Sequence, residues 1–140
     1  MADCLNDCMR RPSLRPEPAE PDGLLDKREI IAETPDLRMV QLTLSPGETV
    51  PWHWHSDASD YYIGLEGITV VETRAPRQRF ELAAGQTCRV PPKQAHHVSG
   101  KDGGYCKVAI LQGVGRYDFN PLPQNPLIDR LESMIAAKSR

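Results

Sequence analysis

Residues 47–67 read GETVPWHWHSDASDYYIGLEG, and residues 85–100 read GQTCRVPPKQAHHVSG. The two stretches hold all four histidines of the chain, as His53-Trp-His55 and His96-His97. Both are built from short runs of β-branched and aromatic residues, closed off by Gly, Pro, Ser and Asp. That texture reads as strand and turn. Side chains two apart on a strand point to the same face, so His53 and His55 place two imidazoles side by side. A third histidine on a facing strand completes a three-nitrogen site, and a carboxylate extends the range of ions it suits.

The same texture spreads outward from these stretches. RMVQLTL (38–44), TVPWHWH (49–55), DYYIGLEG (60–67), ITVVET (68–73), RFELAAG (79–85), QTCRVPP (86–92), AHHVSG (95–100) and GYCKVAILQG (104–113) are short runs separated by turn residues. Between 36 and 113 no segment has a helical period, which argues against a parallel βαβ fold. The expectation is an all-β domain: a small antiparallel β-barrel or jelly roll of six to eight strands over 38–113.

The flanks differ. Residues 1–23, MADCLNDCMRRPSLRPEPAEPDG, are rich in Pro and charge and poor in large apolar groups. Such a segment buries too little surface to offset its chain entropy, and we read it as a flexible tail. The barrel is placed at 24–120. In 121–140, Leu127, Ile128, Leu131, Met134 and Ile135 recur at helical spacing after three prolines, predicting a short C-terminal helix that packs on the barrel.

The chain has 140 residues and a formal net charge of -2. No basic stripe points to nucleic acid, and the stretch RAPRQR (74–79) reads as a solvated turn. No apolar run reaches the roughly 20 residues of a membrane helix, and the N-terminus lacks the apolar region of a secretory signal. The expected location is cytoplasmic. Four cysteines occur, Cys4, Cys8, Cys88 and Cys106. They do not form the paired CxxC spacing of a zinc site, and Cys88 and Cys106 read as small apolar strand residues.

The two opening stretches follow Gly47-x5-His53-x-His55-x4-Asp60-x6-Gly67 and Gly85-x5-Pro91-x4-His96. Together they resemble the two motifs of the cupin superfamily, G-x5-H-x-H-x(3,4)-E-x6-G and G-x5-P-x-G-x2-H-x3-N. Three positions depart from that pattern: Asp60 for Glu, Lys93 for Gly, and Gly100 for Asn. The resemblance implies one divalent metal ion (Fe, Mn, Zn or Ni) held by His53, His55, His96 and Asp60. It further implies a metal-dependent enzyme acting on a small organic molecule. A dioxygenase, an isomerase, a cyclase and a lyase are all compatible with it, as is a non-catalytic module that binds or senses a small ligand.

Strand parity adds detail. Tyr62, Gly64 and Val98 are expected to face inward, Gly64 leaving room for a cavity; in the enzyme that the resemblance implies, Asp60 or a metal-bound hydroxide is the expected base and Tyr62 the expected acid. His97 is expected on the outer surface. Trp52, Trp54, Tyr61, Ile63 and Leu65 are expected to form one outer apolar patch, which predicts a homodimer with Trp52 or Trp54 at or near the interface, cover by the chain's own termini being the alternative.

Overall fold

The computed structural model describes residues 27–123 and Met134. The tail 1–23 with Cys4 and Cys8, and the expected C-terminal helix except Met134, lie outside the described residues. Ten strands run in the order β1 (Arg28–Thr34), β2 (Leu37–Leu44), β3 (Thr49–Trp54), β4 (Ser59–Gly67), β5 (Thr69–Thr73), β6 (Gln78–Leu82), β7 (Thr87–Val90), β8 (His96–Gly100), β9 (Cys106–Gly113) and β10 (Asn120–Pro121). They form two five-stranded sheets, β1-β2-β9-β4-β7 and β10-β3-β8-β5-β6. Every pairing is antiparallel. This is the expected all-β jelly roll, with β2–β9 filling the predicted range and β1 and β10 added at its ends. Among the described residues no helix is long and apolar enough to cross a membrane.

Alternation decides what fills the space between the sheets. In β2 the buried positions are Arg38, Val40, Leu42 and Leu44, every second residue. Those three apolar groups meet Tyr62, Val108 and Ile110 of their own sheet and Val50, Val71, Leu82 and Val98 of the other in one core. Each such side chain, fully buried, contributes roughly 1.5–3 kcal/mol relative to exposure. Cys106 belongs to this core and Cys88 packs against it, as small apolar residues would.

Only β1–β2 and β5–β6 pair as chain neighbours; otherwise the chain crosses between sheets at each turn. This overturns the single outer patch. Trp52 and Trp54 lie on β3 in one sheet, and Tyr61, Ile63 and Leu65 lie on β4 in the other. Their outward faces therefore point in opposite directions. The turn 74–77 between β5 and β6 is largely exposed, as expected, but Arg74 folds back with its guanidinium 4.0 Å from the Trp52 ring centre.

Gly64 also differs from expectation. It faces inward and is buried, yet it leaves no spare room, because a Cβ there would meet the Ala83 carbonyl oxygen at 2.3 Å. The close approach is fixed from both sides: Gly64 N–H donates to Gln86 O (2.9 Å), and Gly85 N–H donates to Gly64 O (2.8 Å). Gly64→Ala is expected to destabilise the protein by about 1–3 kcal/mol, the range for a forced backbone shift. A chemical denaturation curve coincident with wild type would refute this.

Candidate metal centre

His53 and His55 come from β3 and its end, Asp60 from the start of β4, and His96 from the start of β8. All four are buried and face the space between the sheets. Strand β3 achieves this by a break in its register. Val50 pairs with Val98 and His53 with His96, with an irregularity between. Val50 and His53 are three apart, so plain alternation would send one of them outward. The bulge at Pro51 and Trp52 absorbs the extra residue and turns the histidines in. Proline suits that position because it has no N–H to offer a ladder.

One ligand atom from each of the four residues lies within 4.8 Å of all the others. The orientation of each imidazole is set from behind. His53 Nδ1 donates to Pro51 O at 2.7 Å, the carbonyl supplied by the bulge. His55 Nδ1 donates to Asp118 O at 2.5 Å, and His96 Nδ1 donates to Gln94 O at 2.9 Å. With Nδ1 donating to a carbonyl, Nε2 is the nitrogen that is left with a lone pair once the imidazole is neutral, and in His55 and His96 that atom faces Asp60 Oδ2 at 3.1 and 3.0 Å. Three nitrogen lone pairs and a carboxylate directed at one another describe a cation site, with the outer hydrogen bonds that metal-binding histidines use. The donor set therefore fits a divalent ion, and Asp60 is placed to bind it directly despite its shorter side chain.

The electrostatics agree. Burial pulls the His53 pKa well below the ordinary histidine value, and its two histidine neighbours add to this. Burial also acts to lower His55, but the Asp60 charge and hydrogen bond and the Asp118 carbonyl outweigh it, so His55 is raised. Burial alone would raise Asp60; His55 and His96 instead hold its carboxyl well below the usual range. Cys88 is pushed up to about 11, by burial first and by Asp60 second, which keeps the thiol protonated.

A second ring of groups surrounds the four. Tyr62 Oη donates to Asp60 Oδ2 at 2.8 Å, and burial followed by Asp60 raises the phenol well above its ordinary value. Gln112 Nε2 donates to Asp60 Oδ1 at 3.1 Å, and Gln112 Oε1 accepts from Arg38 Nε at 2.6 Å. The segment after β9 closes the remaining side. Phe119 stacks on His53 with ring centres 4.4 Å apart, and Tyr117 lies against His55 at 5.1 Å. The Asp118 carboxylate accepts from Ser56 N and Ser56 Oγ, fixing the loop that presents the His55 carbonyl partner. His97 points away, half-buried beside Trp52.

The expectations named neither Arg38, Gln112 nor residues 117–119. Two of them carried a signal. Arg38 and Gln112 occupy the apolar parity of β2 and β9, where their neighbours at i±2 are Val40 and Ile110. A lone polar residue on the buried side of an alternating strand needs a reason. Residues 117–119 form no regular element, and no pattern announces them.

One departure from the motif finds its explanation here, and another sits in a conformation that favours the motif's glycine. Gly100 stands where a Cβ would lie 1.7 Å from the Gly104 carbonyl oxygen, so no side chain fits. Lys93 has φ 67°, the left-handed conformation that glycine adopts freely, and its N–H donates to His55 O at 2.7 Å. Lys93→Gly is expected to leave that bond intact and to stabilise the protein by up to about 1 kcal/mol. A fall in melting temperature would contradict it.

Comparison with known proteins bears on the same segment. The cupin-domain family model matches residues 40–112. A cupin-2 domain-containing protein from Shewanella frigidimarina is 26% identical, with 61% of this chain and 78% of that one covered at a TM-score of 0.52. A double-stranded β-helix protein from Klebsiella pneumoniae is 20% identical over 82% of this chain and 98% of that one, TM-score 0.58. An oxalate decarboxylase variant from Bacillus subtilis is 19% identical over 62% of this chain and 24% of that one, TM-score 0.56. No protein of curated function matches the sequence.

Proposed function

The chain belongs to the cupin family, and from that premise we propose that it is a metal-dependent enzyme acting on a small organic molecule. The observation that carries this reading is the convergence of the four buried ligand groups, with each imidazole oriented by a backbone carbonyl behind it. A bound Fe, Mn, Zn or Ni ion would supply Lewis-acid polarisation or, as iron, dioxygen-dependent oxidation.

The chain's own residues then have distinct tasks. Asp60 works as an anchor: Oδ2 faces His55, His96 and Tyr62, and Oδ1 accepts from Gln112. Both oxygens are therefore engaged, which weighs against the expected role of Asp60 as base. Tyr62 keeps its proton and donates it to Asp60 Oδ2; a phenol held this tightly suits a hydrogen bond better than proton transfer, which weighs against its expected role as acid as well. Phe119, Val98 and Ile110 form part of the apolar wall of a cavity that His53, Asp60 and Tyr62 also line.

The full engagement of Asp60 favours one second reading, a non-catalytic cupin that binds a small ligand. Elemental analysis of tag-free protein, then anaerobic Fe(II) reconstitution and an activity screen with oxygen uptake, separates the two. Metal without turnover of any small acid, alcohol or sugar substrate favours the binding module. Absence of metal after reconstitution sinks the metal-dependent enzyme and leaves a module that binds its ligand without metal.

A homodimer is proposed alongside. Tyr61 and Leu65 are exposed on the outer face of β4, and Ile30 and Ile31 on the edge strand β1. Sedimentation at micromolar concentration tests it, and a monomer there rules it out.

A further inference from the structure

One short stretch of irregular chain touches two of the four candidate ligand residues. Residues 115–122 run from β9 to β10 past His53 and His55, and both ends are pinned. At one end Gly115 N–H donates to Asp36 O at 2.8 Å. A Cβ on Gly115 would lie 2.8 Å from Asp57 O, so a glycine is needed for so close an approach to the loop after His55. At the other end Asn120 and Pro121 pair with Trp54 and His53, and Leu122 N–H donates to Trp52 O at 3.0 Å. Residues 116–119 between these anchors belong to no strand or helix.

Asp118 ties that middle part to the end of β3 with both its backbone and its side chain. Its carbonyl accepts from His55 Nδ1 at 2.5 Å. Its carboxylate accepts from the next residue, at 2.8 Å from Ser56 N and 2.5 Å from Ser56 Oγ. The Asn120 side chain hydrogen-bonds the same carboxylate. Two consecutive residues, 55 and 56, thus donate to one, and the bonds close a small ring around the His55 imidazole. Bonds to an ionised acceptor are roughly twice as strong as neutral ones, so an aspartate makes a firm tie here. Phe119, the next residue, is 6% exposed and stacks on His53 with 20° between the ring planes. The same stretch therefore limits two imidazoles. His96 is held separately, by Gln94 O of its own loop.

We propose that Ser56 and Asp118 are positioning residues of the metal centre: their clamp holds 115–122 against His53 and His55 and fixes the His55 imidazole for the ion. The inference rests on the metal-enzyme reading and deepens it. Neither residue belongs to the four-ligand cluster, and both act through His55.

The test is Co(II) titration of the full chain, followed by visible absorption, with proton NMR of the loaded protein. An imidazole that binds cobalt through Nε2 and donates from Nδ1 gives one shifted, solvent-exchangeable N–H line, so wild type should show three. Asp118→Ala should bind cobalt about ten- to hundredfold more weakly, the cost of losing an outer partner. One line, that of His55, should broaden into solvent exchange while that of His96 stays sharp. Ser56→Ala keeps the backbone bond and should lose about two- to tenfold, the scale of one hydrogen bond. Asp118→Asn keeps an acceptor for Ser56 N–H and should regain most of the affinity lost in Asp118→Ala. Cobalt affinity within about twofold of wild type in Asp118→Ala overturns the inference and leaves the metal reading standing. Weaker binding in which all three lines broaden together overturns it too, because Asp118 would then support the fold and not His55. If Asp118→Ala does not fold, Ser56→Ala decides, and wild-type affinity with three sharp lines there overturns the clamp. A wild-type chain that takes up no cobalt sinks the metal reading, and the clamp with it.

Discussion

His53→Ala, His55→Ala and His96→Ala are each expected to lose most of the bound metal, with affinity falling by more than about a hundredfold, while His97→Ala retains it. The scale follows from the outer-shell rule: removing a group that merely orients a ligand costs 10–100-fold, so removing the ligand costs more. The contrast with His97 is the sharper part. His96 and His97 are adjacent, but the strand sends one into the barrel at 1% exposure and the other outward against Trp52. Metal content by mass spectrometry, on protein folded to the same circular dichroism spectrum, decides it. Equal loss from His96→Ala and His97→Ala would mean that the site is assembled differently.

Much of this centre was legible in the sequence because strand geometry is so regular. A period of two carries His53 and His55 to one face, and the Gly and Pro positions mark where each strand ends. The cluster of four candidate ligand residues and the jelly roll follow from those two facts and the motif spacing. What was not legible depends on pairing across long separations. Arg38 and Gln112 are 74 residues apart in sequence and meet only because β2 and β9 are neighbours. The patch of Trp52, Trp54, Tyr61, Ile63 and Leu65 failed for the same reason: alternation gives a face within each strand, but not which sheet the strand joins. Gly64 failed because a missing side chain reads equally as open space or as a close backbone approach.

The bulge in β3 shows the interplay most directly. Parity counted from His53 is right at the histidines and wrong at Val50, because an extra residue sits between them. That residue is not idle. The displaced Pro51 carbonyl accepts from His53 Nδ1 and so helps set the ligand nitrogen. A local break in regular structure both aims the side chain and fixes its tautomer, which is why such bulges gather near functional sites.

The stability of the metal-free protein is expected to peak near pH 6.5, while the stabilisation added by metal grows as pH rises. Both signs come from the histidines. The folded-state pKa of His55 is raised, so between the unfolded value of 6.5 and that folded value the native state holds a proton the unfolded chain lacks. Its contribution is fully present below 6.5 and is lost as pH rises through the folded value. His53 is the reverse case. Its folded pKa lies well below 6.5, so beneath 6.5 the unfolded chain takes up a proton that the native state refuses. Stability therefore falls on acidification there. The two slopes meet near 6.5. Metal binding obeys a different rule, since it needs every ligand imidazole neutral and must displace the His55 proton. Its affinity rises through the range in which His55 deprotonates, and by mass action so does the stabilisation it confers. Thermal melts from pH 5.5 to 8.5, with EDTA and with excess Mn(II), give both curves. A Tm increment from metal that stays flat or shrinks with rising pH would show that His55 is not displaced from its proton by the ion, and so is not a ligand.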